Sequence, residues 1–561
     1  MLAAALVLFL AGPARAASDP VLSALNAELR RSFKSLRGAE ETPLYYLSYQ
    51  AEESHVRRAG AVLGSLLEES LNASRVLDVD ARVGSRRLDN THQLKGAESA
   101  HHGDHSAAGE LPLDDDPLAL RQAAWELTDH AFKEAQNRYI KVATDKAVTA
   151  GEADDSDDFS SEPPHQAYEP PPAAPPDPGP WRERLRRLSA VAARYPFLIA
   201  SNAELTLESH RTWFVDSDGA ALSDESRTAR LDFELTARTT DGMELDRGRW
   251  YEVSDVSELP DEAAMTADFE RSAAELAALL KAPDAVPYHG PAVFRSTAAA
   301  VFFHEILGHR LEGHRQRLES EGQTFTKQLG ELVTAPFLSI YDDPTLERLG
   351  GMPLSGHYRF DDEGVPARRV DLVKDGRLTG FLMSRMPIAA AARSNGHGRR
   401  SSGSRAVARM GNLVVEATGT VPAGDLRRLL VLELKRQGKP WGLWFEDVTS
   451  GNTTTSRDGA QAFQVVPKLV YRVYADGRPD EPVRGVDIVG TPLAAFTKIA
   501  AAGDDLGVFN GICGAESGWV PVSASAPSLL LTEIEVQKSS KDAEKPPLLP
   551  PPHNDAEKAA R

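Results

Sequence analysis

Apolar positions along the chain recur with two different periods, and the switches between them outline the elements. From Asp19 to Leu36 they fall every three to four residues (Leu22, Leu25, Leu29, Phe33), which predicts a helix with one buried face. Leu44–Gln50 and Arg75–Val83 alternate with period two and predict strands. Pro117–Val148 predicts a long helix, and Trp181–Tyr195 and Pro260–Leu280 predict two more. Between these last two, Leu198–Leu207, Thr212–Val215 and Arg230–Arg238 read as strands, with Asp-Gly turns at 218–219 and 241–242. Pro283–Pro291 reads as a domain boundary, giving an N-terminal domain over 17–285 and a C-terminal domain over 286–538. Beyond it Ser296-Thr297 is placed to cap an apolar helix through Ala298–Phe303. Hairpins follow around Asp375-Gly376 (Arg368–Val373 with Leu378–Leu382) and Asp476-Gly477 (Val465–Tyr474 with Val483–Val489).

Several stretches break the pattern. Gly96–Asp116 turns polar and holds His101-His102-Gly103-Asp104-His105, a solvated loop rather than a metal site on composition. Residues 151–180 hold eight acidic residues, nine prolines and no Lys or Arg, which predicts a disordered linker. The tail over 539–561 is polar and Pro-rich and is expected to be disordered as well. At the other end Leu2–Leu10 is apolar and is followed by Gly12-Pro13 and Ala14-Arg15-Ala16. That predicts a signal peptide over 1–16 and a periplasmic or secreted protein, although no Lys or Arg precedes the apolar run. No stable membrane span is expected, because no later stretch is long and apolar enough.

Composition narrows the function. With 41% hydrophobic and 26% charged residues in 561, the chain reads as globular, with room for several domains. A net charge of −19 argues against nucleic acid as a partner. The single cysteine, Cys513, rules out an intrachain disulfide and is either a small buried hydrophobe or a chemically used group.

Chemistry concentrates in His304-Glu305-Ile306-Leu307-Gly308-His309-Arg310-Leu311-Glu312-Gly313-His314. Two histidines bracketing a glutamate on a helix point to a metal site with its own base. The zincin spacing H-E-x-x-H puts both histidines on one face at i and i+4. Here the second is at i+5, about 140° round an ideal helix, so a regular helix cannot aim both at one ion. The spacing therefore predicts a distortion at Ile306–Gly308. A third ligand has to come from elsewhere, and Cys513 in Gly511-Ile512-Cys513-Gly514 is the best candidate, an inert buried thiol being the alternative. Arg310, His314 and His357 are candidates for contacting a developing oxyanion. Closure of the metal by His314 would instead describe a structural site in a catalytically silent binding or assembly subunit.

The string His304-Glu305-x-x-Gly308-His309-x-Leu311-Glu312-Gly313 resembles the signature of the TldD/PmbA family of metallopeptidases. The resemblance continues through Phe360–Pro366, Asp375–Leu382, Arg409–Leu413, Pro482–Gly485, Gly503–Leu506 and Gly511–Gly514. It implies an α+β fold of two domains: an N-terminal α/β domain with a helical insertion, and a C-terminal β-rich metallopeptidase domain. It also implies a Zn2+ ion on His304, His309 and Cys513, with Glu305 as catalytic base. Gly308, Glu312, His314 and His357 are then candidates for the surroundings of the metal or of a peptide substrate. The expected partner is a second copy of the chain or a metal-free relative.

Overall fold

The computed structural model describes residues 19–39, 42–95, 107–148, 154–170, 174–457, 463–490, 495–539 and 549. The signal-like segment, the histidines at 101–105 and nearly all of the tail therefore lie outside the described residues.

In the N-terminal part, α1 (Pro20–Leu36) opens on Asp19, whose carboxylate caps the Leu22 amide at 3.0 Å. Two strands of nineteen residues follow, β1 (Leu44–Val62) and β2 (Ser65–Val83), joined at Leu63-Gly64 with both φ angles positive. The sequence reading ended the first strand at Gln50 because the outer halves carry charge on both faces. The strands run on because β1 is laddered on both sides, to β2 and to β5 (Leu198–Asp216). The remaining strands are β3 (Ala107–Glu110), β4 (Gln166–Tyr168), β6 (Ala221–Arg238) and β7 (Glu244–Val253). They complete a sheet of order β3-β2-β1-β5-β6-β4, with β7 also paired to β6. Helices α1 and α2 (Pro117–Val148) bury one cluster with this sheet, around Leu25, Leu47, Leu77 and Leu120. Helices α3 (Gly179–Ala190) and α4 (Glu262–Leu279) bury a second, around Leu185, Leu205, Phe233 and Phe269.

The expectation of a disordered linker over 151–180 fails for residues 154–170. Phe159 is 2% exposed, and Gln166–Tyr168 pairs in parallel with β6. Composition misled here because the acids find partners distant in sequence. Asp158 meets His92 (2.7 Å) and Arg317 (2.7 Å), Glu162 meets Arg393 (2.9 Å), and the Asp154 carboxylate accepts from the Ala389 amide (2.8 Å). The segment is a strap tied to both halves of the molecule. Phe159 plugs it in place, with the guanidinium carbons of Arg82 and Arg385 at 3.7 and 4.0 Å from its ring centroid.

The C-terminal part packs two sheets around one helix. In the first, β8 (Tyr288–Phe294) lies between strands Trp441–Thr453 and Leu529–Lys538. Val486–Gly490 and Phe463–Tyr474 follow, and Phe463–Tyr474 pairs back onto Trp441–Thr453, so the five strands close a ring. The second sheet ends in the hairpin of Gly507–Ala515 and Gly518–Ala526. Between the sheets lies α5 (Ser296–Ile306), whose residues are buried on every side, as its unbroken apolar run requires. Its cap is Arg295 rather than Ser296-Thr297, and no side chain closes it. Phe294, Phe302, Phe303, Phe445, Phe463 and Phe496 stack around the helix and fix its position.

Candidate metal centre

Helix α5 stops at Ile306, where the predicted distortion falls. Leu307 departs from helical angles (φ −108°, ψ −50°), and the chain continues as a tighter 3-10 turn over Gly308–Leu311. That change of pitch swings His309 back towards His304. The ring centroids are 5.0 Å apart and nearly perpendicular, at 84°. Gly308 leaves room at the bend for Met410, whose Sδ would lie 2.0 Å from a β-carbon there and would have to shift.

Cys513, in the strand Gly507–Ala515, completes the group from 204 residues further on. Its Sγ lies 3.3 Å from His304 Nε2 and 3.4 Å from His309 Nε2, and all three side chains are buried. Three donors bonded at 2.0–2.3 Å to one tetrahedral ion would stand about 3.5 Å apart, so this N, N, S set fits such an ion. Burial alone would raise the Cys513 thiol, but His309 and His304 hold it well below the ordinary thiol range. Conversely, burial would lower His309, while Cys513 and Glu312 push it well up.

Glu305 follows the first histidine and is buried against Gly451, where a β-carbon would lie 2.2 Å from Glu305 Cγ. Burial raises its pKa, and His304 and His309 offset part of the rise. Glu312 takes the outer side of His309, with both carboxylate oxygens near Nδ1 (3.2 and 3.3 Å). Although buried, it is held down to about 2 by His309 and Arg315. Such a carboxylate fixes the tautomer that leaves Nε2 free to ligate.

The other sequence candidates fall elsewhere. His314 is buried, but its Nε2 is engaged by Glu516 and it does not join the three-donor group. Closure of the site by His314 is thus not what the geometry offers. His357 turns its Nδ1 to the Pro344 carbonyl oxygen (2.9 Å). Arg310 spends its guanidinium on the carbonyls of Glu305 (3.2 Å), Ile306 (3.3 Å) and Thr454 (3.1 Å) and on Thr453 Oγ1 (2.7 Å). It satisfies the end of α5, and burial beside Arg315 lowers it to about 10. Sequence reasoning missed Arg315, Glu516 and the packing role of Met410. For Glu516 the one available signal was its place in the turn three residues after Cys513.

Residues 288–538 match the family model described as the PmbA/TldA metallopeptidase C-terminal domain. A Haemophilus influenzae protein named metalloprotease TldD homolog is 33% identical over 255 residues, covering 44% of this chain and 48% of its own length. A Saccharolobus solfataricus zinc metalloprotease TldD homolog is 25% identical over 248 residues, covering 44% of this chain and 51% of its own. The chain thus spans about half the length of the curated relatives it matches. The fold extends the likeness: the crystal structure of TldE from Thermococcus kodakarensis superposes with a TM-score of 0.60 at 14% identity, covering 92% of this chain and 100% of that one. These findings define a two-domain α+β protein with a PmbA/TldA-type C-terminal domain. Residues 288–538 are thus similar to the C-terminal domain of the TldD/PmbA proteins, and the whole chain shares their fold.

Proposed function

We propose that this protein is a zinc-dependent peptidase acting on unfolded peptides or peptide segments. The observation that carries the reading is the meeting of His304 Nε2, His309 Nε2 and Cys513 Sγ beside Glu305, with His314 tied away by Glu516. Two imidazoles and a thiolate suit zinc and leave a fourth position for water or substrate. When bound, the ion supplies Lewis-acid polarisation of water and of the scissile carbonyl. Glu305 takes the proton of the attacking water as its oxygen bonds the carbonyl carbon. It then gives that proton to the amine nitrogen as the C–N bond breaks. Burial raises this carboxyl, the direction that favours its handing the proton on to the amine. Glu312 contributes by holding His309 in its ligating tautomer. In the same reading the protein is exported, on the strength of its N-terminal apolar run, and pairs with a second copy or a metal-free relative.

Metal analysis and peptide hydrolysis on wild type and Glu305→Gln test it. Glu305→Gln should keep one zinc per chain and lose about 10²–10⁴ in kcat. Hydrolysis by that variant at the wild-type rate removes Glu305 from the role of base. Wild type that takes up no zinc removes the metal.

A further inference from the structure

Cys513 sits two residues short of the end of its strand, and Glu516 and Ser517 form the turn beyond it. Glu516 reaches back across the site. One carboxylate oxygen is bonded to His314 Nε2, and the other accepts from Arg315 Nη2 at 2.7 Å. Arg315 is buried and its remaining nitrogens are also engaged. Nε donates to Glu312 (2.8 Å), and Nη1 to Glu321 and Thr455 Oγ1 (each 3.0 Å). Glu312 in turn faces His309 Nδ1, and His309 Nε2 faces Cys513. The links therefore run in a closed circuit: from Cys513 along the chain to Glu516, then by contacts through Arg315, Glu312 and His309 back to Cys513. A second arginine repeats the grip, since Arg409 donates to the Cys513 carbonyl (2.7 Å) and to Ser517 Oγ (2.9 Å), with Nε 3.5 Å from Glu312.

We propose that Glu516 is a positioning residue. Through His314 and Arg315 it latches the cysteine hairpin to the histidine segment, so that the three donors are assembled before an ion arrives. The physical need is clear from connectivity. His304 and His309 are fixed by α5 and its bend, whereas Cys513 arrives on a hairpin near its turn, and Ile512 on that strand is 59% exposed. A turn in that position opens readily unless something holds it. Glu516 is not a member of the three-donor group, and the proposed reaction assigns it no proton. The inference rests on the metal reading above, but its consequence extends to the metal-free protein.

Because Cys513 is the only cysteine, a thiol reagent reports on it alone. In the chelator-treated full chain, Glu516→Gln should be labelled at least about tenfold faster than wild type, while the overall melting temperature changes little. Its zinc affinity should fall about 10–100-fold. With Co2+ as the probe, the thiolate-to-cobalt band should weaken relative to the d–d bands. Glu516→Asp keeps the charge and should recover part of each. His314→Gln, which leaves the arginine arm intact, should give an intermediate labelling rate and serves if Glu516→Gln does not fold. Equal labelling and equal zinc affinity in wild type and Glu516→Gln overturn the latch. So does a labelling increase that merely tracks a fall in melting temperature. Failure of the metal reading looks different: wild type then binds no zinc and zinc gives Cys513 no protection, while the labelling contrast between variants persists.

Discussion

A β-carbon at Gly308 would lie 2.0 Å from Met410 Sδ and 2.8 Å from its Cε, both packed in the core behind the bend. The turn from α-helix into 3-10 pitch thus depends on the absence of a side chain at one residue. Gly308→Val should displace the bend and separate the imidazoles, so the folded variant should lose both zinc and activity. Metal analysis on material with wild-type circular dichroism checks this, and an unchanged zinc content would count against the role of the bend. At this scale the sequence was legible where chemistry and spacing coincide. The H-E-x-x-x-H string held the two histidines that the fold brings to Cys513, and its spacing called for the distortion that the structure shows. The ions around them were not legible, because Arg315 meets Glu516 across 201 residues and Arg409 meets the Cys513 carbonyl across 104. Charged residues that find partners only through the fold look like surface when read along the chain.

Among the elements, the helices of the N-terminal part were read closely, and α2 spans Pro117–Val148 as expected, whereas the helix Leu426–Gln437 was not predicted. The long strands were under-read where both faces carry charge, and the strap over 154–170 was misread as a linker. Phe159 and Tyr168 hinted otherwise, two aromatic residues among acids and prolines. Phe159→Ala removes a buried ring held between two guanidinium groups and should destabilise the protein by about 3–5 kcal/mol. Denaturant unfolding followed by tryptophan fluorescence measures it. A change below about 0.5 kcal/mol would mean that the strap does not hold the two halves together.

For the whole molecule, the seam between the halves is unusually polar. Gln50 Nε2 donates to Asp362 (3.0 Å), Arg400 reaches Gln50 (2.8 Å) and Asp78 (3.2 Å), and Arg385 reaches Asp218 (2.9 Å). Within it burial, aided by Asp362, raises Glu52 to about 7. An acid whose folded pKa is raised binds more protons in the native than in the unfolded state between the two values. Its contribution to stability is therefore full below about pH 4.5 and is lost as pH rises towards 7. Glu52→Gln removes that dependence. Its stability should exceed wild type by about 1–2 kcal/mol at pH 8, and the difference should shrink towards pH 4.5. Melting curves across that range decide it, and a difference constant with pH would exclude the carboxyl. The pairings of this seam were not legible in the sequence, because they join single polar residues of the N-terminal strands and turns to loop residues more than 130 positions away.

The ring of strands around α5 also sets an order of events during synthesis. Strand β8 is made early, yet one of its two neighbours is Leu529–Lys538. Until those last residues have left the ribosome, the ring stays open and α5 has no enclosing wall. At about 5–20 residues per second, His304 and His309 then wait on the order of 10–50 s for Cys513 and the closing strand. Any ion held by all three donors would therefore arrive after translation of the domain is complete. Its capture belongs to the finished chain, in whichever compartment that chain folds.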